Sequence, residues 1–540
     1  MTTTPAPDLI LVGGVVEPIV GETAEAVAVG DGLIAAVGSA EDVLATRAST
    51  TEVVDLAGAT VLPGLIEPHT HPDLCAQMYA WVDVSGFTHP HVSGVQRALE
   101  DAIAAADPGE WVYAFGLDFM LTDALGIWDR DRLDAIAPAN PLVVMIQSMH
   151  TLYVNSAAFA AAGIDESTPQ PSGGGHWATD HNGRLNGKVE EQTAMGPFLR
   201  HGLPDPNEVR DQIREQYRRY AEVGITTLGL AGAFGGPDQF DVFPELAAEP
   251  DVALRVVAYL RHQQALRSGG GPTVPGDAFR IAGVKLWYDG SPYTGTMLLD
   301  EPYLETDLCC CTLGIEPGTN GRANFDPVEL TDILGELHGR GWQVLTHAQG
   351  DRACREILDL YDSVLPPDAG DHRWRLEHCA LITDADLARA AGIGVSPSFH
   401  VDHVRYYGPE LASDIIGPER AEGLMPVRSA LDCGHRPSLH ADSPMYPPGP
   451  LRLAGTASSR HTRHGEPLAA HQAISVEEAV RAVTIDAAWQ LRMDDEVGSI
   501  EPGKRADFAV LEANPLRSSP TDLEHISVTS TWLGGREVRR

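Results

Sequence analysis

Between residues 61 and 441 the chain repeats one pattern, a short apolar run followed by a longer stretch rich in Ala, Leu, Glu and Arg. Strand-like runs fall at 61–66, 142–148, 225–230, 254–260, 281–287, 342–347, 374–378, 393–397 and 436–441, with amphipathic stretches such as 207–223 and 327–340 between them. Strand alternating with helix implies a parallel sheet, because each parallel neighbour needs a crossover. Closed, such a sheet is an eight-stranded barrel, and the runs are one too many. We assign the spare run, 142–148, to a segment inserted at about 75–215, after the first strand. The Gly-, Ser-, Pro- and His-rich stretch 168–187 within it has the texture of a surface loop, where Trp177 reads as a lid aromatic. The ends differ from the middle. Runs 8–18, 25–38 and 51–62, and again 497–511 and 526–538, are short, β-rich and broken by Gly and Asp, as antiparallel strands and turns are. The expected architecture is α/β, a (β/α)8 TIM-like barrel over 61–489 that carries the insert. A small β-sandwich built from both termini, 1–60 and 490–540, accompanies it.

The apolar runs also end alike. VLPGLIEPHTH, from Val61, closes on His69-Thr70-His71; FRIAGVK closes on Lys285, WQVLTH on His347 and WRLEH on His378; Asp442 follows PSLHA. Residues i and i+2 of a strand share a face, so His69 and His71 aim two imidazoles together, a start to a metal site. A lone HxH fits surface or core histidines equally well. The whole set is more telling, since a βα-barrel builds its active site at the C-terminal ends of its strands.

Further strings give the set a family. HTLYVNSAAF (150–159), GVKLWYDGS (283–291), THAQGDRA (346–353), RLEHCALI (375–382), PSFHVDHVRYYG (397–408), HADSPMYP (440–447) and GSIEPGKRADFAVL (498–511) occur in order. With PGLIEPHTH they resemble the amidohydrolase superfamily. Within it they are most similar to the YtcJ-like branch (amidohydrolase family 3), whose best-known activity type is N-substituted formamide deformylase. The likeness runs from about residue 8 to 538. It implies a metal-bearing barrel with a terminal sandwich and one or two divalent ions, Zn first, with Mn or Fe as alternatives. Residue by residue, it implies that His69 and His71 bind one metal and His347 and His378 a second. Lys285 matches a lysine that carries CO2 as a carbamate and bridges the two. Asp442 matches a residue that binds metal and shuttles the proton. Glu190 or Glu191, in GKVEEQTA, is the alternative bridge. His150 and His400 match positions that hydrogen-bond the scissile carbonyl or the substrate. Asp289 reads as an orienting carboxylate, Asp351 and Arg352 as residues that orient His347, and His403, Tyr406 and Tyr407 as a pocket wall. Two departures stand out. The branch commonly reads GSD where this chain has His440-Ala441-Asp442, which adds a pocket imidazole, and Cys309-Cys310-Cys311 has no counterpart.

The implied chemistry explains the residue types. Amide hydrolysis at neutral pH needs a strong nucleophile and a polarised carbonyl. A bound metal lowers the pKa of water to about 7 and acts as a Lewis acid, while an aspartate moves the proton. Only three lysines occur, Lys188, Lys285 and Lys504. A neutral lysine amine can take up CO2, and the permanently charged arginine cannot. The expected reaction is metal-dependent hydrolysis of a C–N bond, an amide and N-substituted formamide foremost. The same centre suits a cyclic amide, an ester or lactone, or a deamination, because loops set specificity. A non-catalytic binding protein on this scaffold would have lost ligands, and none is missing.

Composition narrows the partners. A formal net charge of −38 speaks against nucleic acid and anionic membranes. No apolar run spans a bilayer, and Met1-Thr-Thr-Thr-Pro-Ala-Pro has neither part of a signal peptide. Seven cysteines, odd in number and without a CxxC pair, read as free thiols in a reducing cytoplasm. The expected partner is a small neutral or apolar amide, and a homodimer is the commonest assembly for such a chain.

Overall fold

The computed structural model describes residues 6–538 apart from 79, 172–174, 191, 203–205, 234–239 and 275. The chain divides into two units, Met1–Cys75 with Ile213–Thr306 and Glu316–Arg540, and Ala76–Gln212 with Asp307–Ile315.

The first unit holds a barrel of eight parallel strands. They are β1 (Leu65–Thr70), β2 (Ile225–Ala231), β3 (Arg255–Arg261), β4 (Phe279–Trp287), β5 (Gln343–Ala348), β6 (Arg375–His378), β7 (Ser396–Phe399) and β8 (Ser438–Leu439), hydrogen-bonded in that order. Every residue of β1, β2, β6 and β7 is buried. Strands covered on both faces read as continuous rather than alternating apolar runs. Helices Pro206–Glu222 and Pro327–Gly339 occupy the predicted amphipathic stretches. Asp326 caps the second, accepting from the Val328 and Glu329 amides at 2.9 and 3.3 Å. The spare run appears as Leu142–Ile146 in a six-stranded sheet of the second unit.

One predicted run is divided between two sheets. Thr60–Pro63 pairs with Phe508–Leu511 in the terminal sheet, and β1 starts at Leu65. The break is Gly64, where a Cβ would stand 2.0 Å from Thr226 Oγ1 and 2.5 Å from its Cγ2. Only glycine lets β2 come this close.

The terminal sheet interleaves the two ends of the chain. Its order is Arg536–Val538, Val528–Leu533, Phe508–Leu511, Thr60–Pro63, Leu9–Val16, Ala24–Gly30, Leu33–Gly38, with Glu52–Asp55 also on Leu9–Val16. Leu11, Val27, Val29, Val61, Phe508, Val510 and Trp532 share one buried core. The sheet is mixed rather than purely antiparallel. Leu9–Val16 pairs in parallel with Glu52–Asp55 and Thr60–Pro63, because the helix Ala40–Leu44 supplies a crossover. Arg255, opening β3, ties the barrel to this sheet with Nε and Nη2 donating to Asp507 at 2.6 and 3.0 Å, both side chains buried.

In the second unit Trp177 is a core residue rather than a lid. It packs in the cluster of Phe159, Val189 and Ala194, and its Nε1 donates to the Ala194 carbonyl at 3.1 Å. Cys309–Cys311 lie in a π-helical turn, Leu308–Leu313, of the same unit.

Candidate metal centre

The barrel register brings the strand ends level. Trp287 of β4 stands beside His347, Ala348 beside His378, and His378 beside Phe399. His69 and His71, two residues apart, leave the end of β1. His71 Nε2 lies 3.1 Å from Asp442 Oδ1, His69 Nε2 3.6 Å from the same oxygen, and His378 Nδ1 3.7 Å from Asp442 Oδ2. Lys285 Nζ donates to His69 Nε2 at 2.9 Å. The His347 and His378 rings are 4.3 Å apart, and those of His378 and His400 5.4 Å. Six sequence-predicted residues thus converge with His400 at the C-terminal mouth of the barrel. His378 and Asp442 both take positive φ, 74° and 54°, a cost of about 1–3 kcal/mol each that proteins retain at functional sites.

Among the described residues, three groups have ligand atoms within 4.8 Å of one another: His69, His71 and Asp442; His378, His400 and Asp442; His69, His378 and His440. The donor set fits divalent ions of the Zn, Mn and Fe kind, which take imidazole and carboxylate together. Its protonation fits as well. Burial pushes the His69 imidazole down to about 4 and His347 to about 3, helped by Lys285, and holds His378 and His440 well below the usual range. Neutral imidazoles offer lone pairs. Burial would raise Asp442, but the imidazoles of His69, His71 and His400 hold it well below the ordinary carboxylate range. Burial brings the Lys285 ammonium down to about 8.

Neighbours fix which nitrogen each ring presents. His69 Nδ1 donates to Glu377, so its Nε2 faces the cleft. Glu377 in turn accepts from Arg375 Nε at 2.7 Å, and Arg375 Nη2 reaches the Pro68 carbonyl at 3.2 Å. Burial opposes a charged Glu377, but Arg375 and His69 hold it well below its usual range. His347 Nε2 faces the Gly290 carbonyl at 3.2 Å and His400 Nε2 the Ala441 carbonyl at 3.0 Å. Both nitrogens therefore donate, and both Nδ1 atoms carry the lone pair. Glu67 accepts from the Ala441 amide at 3.1 Å beneath Asp442, and burial pushes its carboxyl well above the usual range. Asp289 accepts from the amides of Leu298, Gln349 and Gly350, each at 3.0 Å, and lies 3.5 Å from His347 Nε2. Glu377, Arg375 and Glu67 were not anticipated. The signal was there in the two charged residues of the buried run WRLEH and the one of LIEPH, since such residues are rarely buried unpaired.

His150 is in the second unit, just before strand Thr151–Val154. Glu190 ends strand Leu185–Glu190 of that unit, 2.7 Å from Lys188 Nζ, and Glu191 lies outside the described residues. Asp351 accepts from the Asp300 amide and Arg352 pairs with Glu356 at an exposed site, so neither orients His347; both open the helix Asp351–Val364. His403 Nδ1 meets the hydroxyls of Tyr293 and Tyr446.

The model of a family described as the amidohydrolase family matches residues 52–539. An N-substituted formamide deformylase of Arthrobacter pascens is 29% identical over 530 residues, 95% of this chain and 94% of that protein. A putative amidohydrolase of Bacillus subtilis (strain 168), YtcJ, is 25% identical over 529 residues, 96% of each chain. An uncharacterized metal-dependent hydrolase from Pyrococcus horikoshii OT3, known from a crystal structure, shares the fold with a TM-score of 0.75. It is 22% identical, over 95% of this chain and 99% of that one.

Proposed function

The chain belongs to the amidohydrolase family, and on that premise we propose that it is a metal-dependent hydrolase cleaving the C–N bond of a neutral amide, an N-substituted formamide foremost. The observation that carries this is the convergence of His69, His71, His378 and Asp442 within reach of one another at the barrel mouth. The formamide is suggested by the deformylase relative spanning 95% of the chain.

In this reading His69, His71 and Asp442 hold one divalent ion, Zn first, and His347 and His378 a second. Lys285, whose neutral amine would take up CO2 as a carbamate with release of a proton, would add an anionic oxygen ligand there; its Nζ lies 2.9 Å from His69 Nε2. When bound, the ions supply Lewis-acid polarisation of the carbonyl and an activated water. Asp442 takes the proton of the attacking water and returns it to the departing nitrogen, giving the carboxylic acid and the amine, which settle at neutral pH as carboxylate and ammonium. His400, its donor committed to the Ala441 carbonyl, presents an acceptor. It therefore suits the amide N–H of the substrate, the second of its two expected roles. The seven cysteines are free and no described helix is long and apolar enough to cross a membrane; the thiols support a reducing, cytoplasmic setting.

The test compares protein stripped with a chelator, then reloaded with Zn2+, Mn2+ or Fe2+ plus bicarbonate, on N-alkylformamides, lactones and aminated heterocycles. Metal-dependent amine release from formamides is expected, and Asp442→Asn abolishes it. Absence of any metal-restored hydrolysis, or turnover confined to lactones or heterocycles, rejects the reading.

A further inference from the structure

His440 stands where the resembling branch commonly has glycine, and a hydrogen-bond relay determines which way its ring is protonated. Gln490 Nε2 faces the carbonyls of Pro397 and Arg436 at 2.8 and 3.0 Å. Carbonyls only accept, so the amide oxygen of Gln490 is the atom at Ser438. Ser438 Oγ lies 2.5 Å from that oxygen and commits its one hydrogen there. Ser398 Oγ, 2.8 Å from Ser438 Oγ, is then the donor of that pair. Otherwise two oxygens would meet with no hydrogen between them. With the hydrogen of Ser398 committed, His440 Nδ1 must donate to Ser398 Oγ across 2.8 Å. The proton of the buried, neutral ring is therefore on Nδ1, and Nε2 carries the lone pair.

That lone pair points at the ring of His378. Nε2 lies 3.2 Å from His378 Nδ1, and the His440 ring stacks on His69 at 4.8 Å between centroids and 22° between planes. His69, His378 and His440 each offer a ligand nitrogen, all within 4.8 Å of one another. Two imidazole nitrogens at about 2.0–2.1 Å from one tetrahedral ion are roughly 3.3 Å apart, close to the His378–His440 spacing. We propose that His440 is a further metal ligand of this chain, its Nε2 offered to the ion that His378 would hold and aimed there by Gln490, Ser438 and Ser398. The inference rests on the metal-centre reading above. It adds a ligand that the strand-end pattern does not contain.

The test measures zinc rather than turnover. Stripped protein is titrated with Zn2+ against a chelating dye, and the imidazole count of the loaded protein is read by X-ray absorption. His440→Asn removes the ring Nε2 while keeping a short side chain that can donate to Ser398. Ser398→Ala breaks the relay without touching the cleft, and Ser398→Thr restores a hydroxyl. His440→Asn should lose one coordinated imidazole and weaken zinc at least about 100-fold. Ser398→Ala should weaken it about 10–100-fold, as loss of a ligand's hydrogen-bond partner typically does, and Ser398→Thr should recover most of that. Thermal melts by circular dichroism report whether each variant is folded, and Ser398→Ala remains decisive if His440→Asn is not. If folded His440→Asn or Ser398→Ala binds zinc with wild-type affinity and imidazole count, the inference is overturned while the metal centre stands. If the wild-type chain binds no zinc, both fall.

Discussion

At the residue scale, the strand-end side chains were legible because a barrel displays them at fixed places, and the carboxylates behind them were not. A Glu inside an apolar run does not say from sequence which partner compensates its burial; only the closed barrel brings Arg375 and Glu377 of β6 against His69 of β1. Two predictions belong here. Lys285 is fully buried against His69, and an arginine there keeps the charge but offers no amine for CO2. Lys285→Arg is expected to stay folded and to lose bound metal and at least about 100-fold of turnover. Metal analysis of the purified variant checks this, and wild-type turnover would move the bridging role to another carboxylate. Glu190, 2.7 Å from Lys188 Nζ, and Glu191 are then the next to substitute. Glu377→Gln keeps the shape but removes the charge that aims His69 Nε2 at the cleft. Zinc affinity should fall about 10–100-fold, read by competition with a chelator. An unchanged affinity would mean that packing alone orients His69.

At the element scale, the apolar runs gave the barrel strands because parallel strands are buried on both faces and leave no period to misread. Two features escaped. Strand direction in the terminal sheet is not written in hydrophobic alternation, so the parallel pairing of Leu9–Val16 with Glu52–Asp55 was missed. The run from Val61 reads as one strand, yet its two halves serve different sheets, because apolar character does not reveal which sheet a residue faces. Gly64 marked the division. A Cβ at this position would overlap Thr226 Oγ1 at 2.0 Å, its Cγ2 at 2.5 Å and its Cβ at 2.7 Å, and neither strand can move without breaking its own ladder. Gly64→Ala is expected to destabilise the chain by about 1–3 kcal/mol, the usual range for overpacking. Adding Thr226→Ala should recover only part of this, since its Cβ remains. Chemical denaturation of the single and double variants tests it; a Gly64→Ala protein as stable as the parent would show that the strands can part freely.

At the scale of the whole molecule, the split termini were legible from their shared texture, but what fastens them to the barrel was not. The Arg255–Asp507 pair spans 252 positions of sequence, and a separation of that size leaves no local pattern. Its two hydrogen bonds, 2.6 and 3.0 Å, join the first residue of β3 to the edge of Phe508–Leu511, and the Gly534 amide donates to the same carboxylate at 2.7 Å. Both side chains are buried, 5% and 4% exposed, so water cannot replace a missing partner. Removing one member of such a pair typically costs about 3–5 kcal/mol, because the survivor is left charged and unpaired, whereas removing both costs far less. Asp507→Ala should therefore lower the denaturation midpoint strongly, more than Arg255→Met, since it also strands the Gly534 amide. The double variant Arg255→Met/Asp507→Ala should lie well above the sum of the two losses. Denaturation of the four proteins under one set of conditions decides the matter. Additive losses would mean that the two groups act independently and that the shared apolar core of Val61, Phe508 and Val510 alone holds the ends of the chain together. A large coupling would identify the pair as the electrostatic latch between the terminal sheet and the barrel floor, at the opposite end of the strands from the metal ligands.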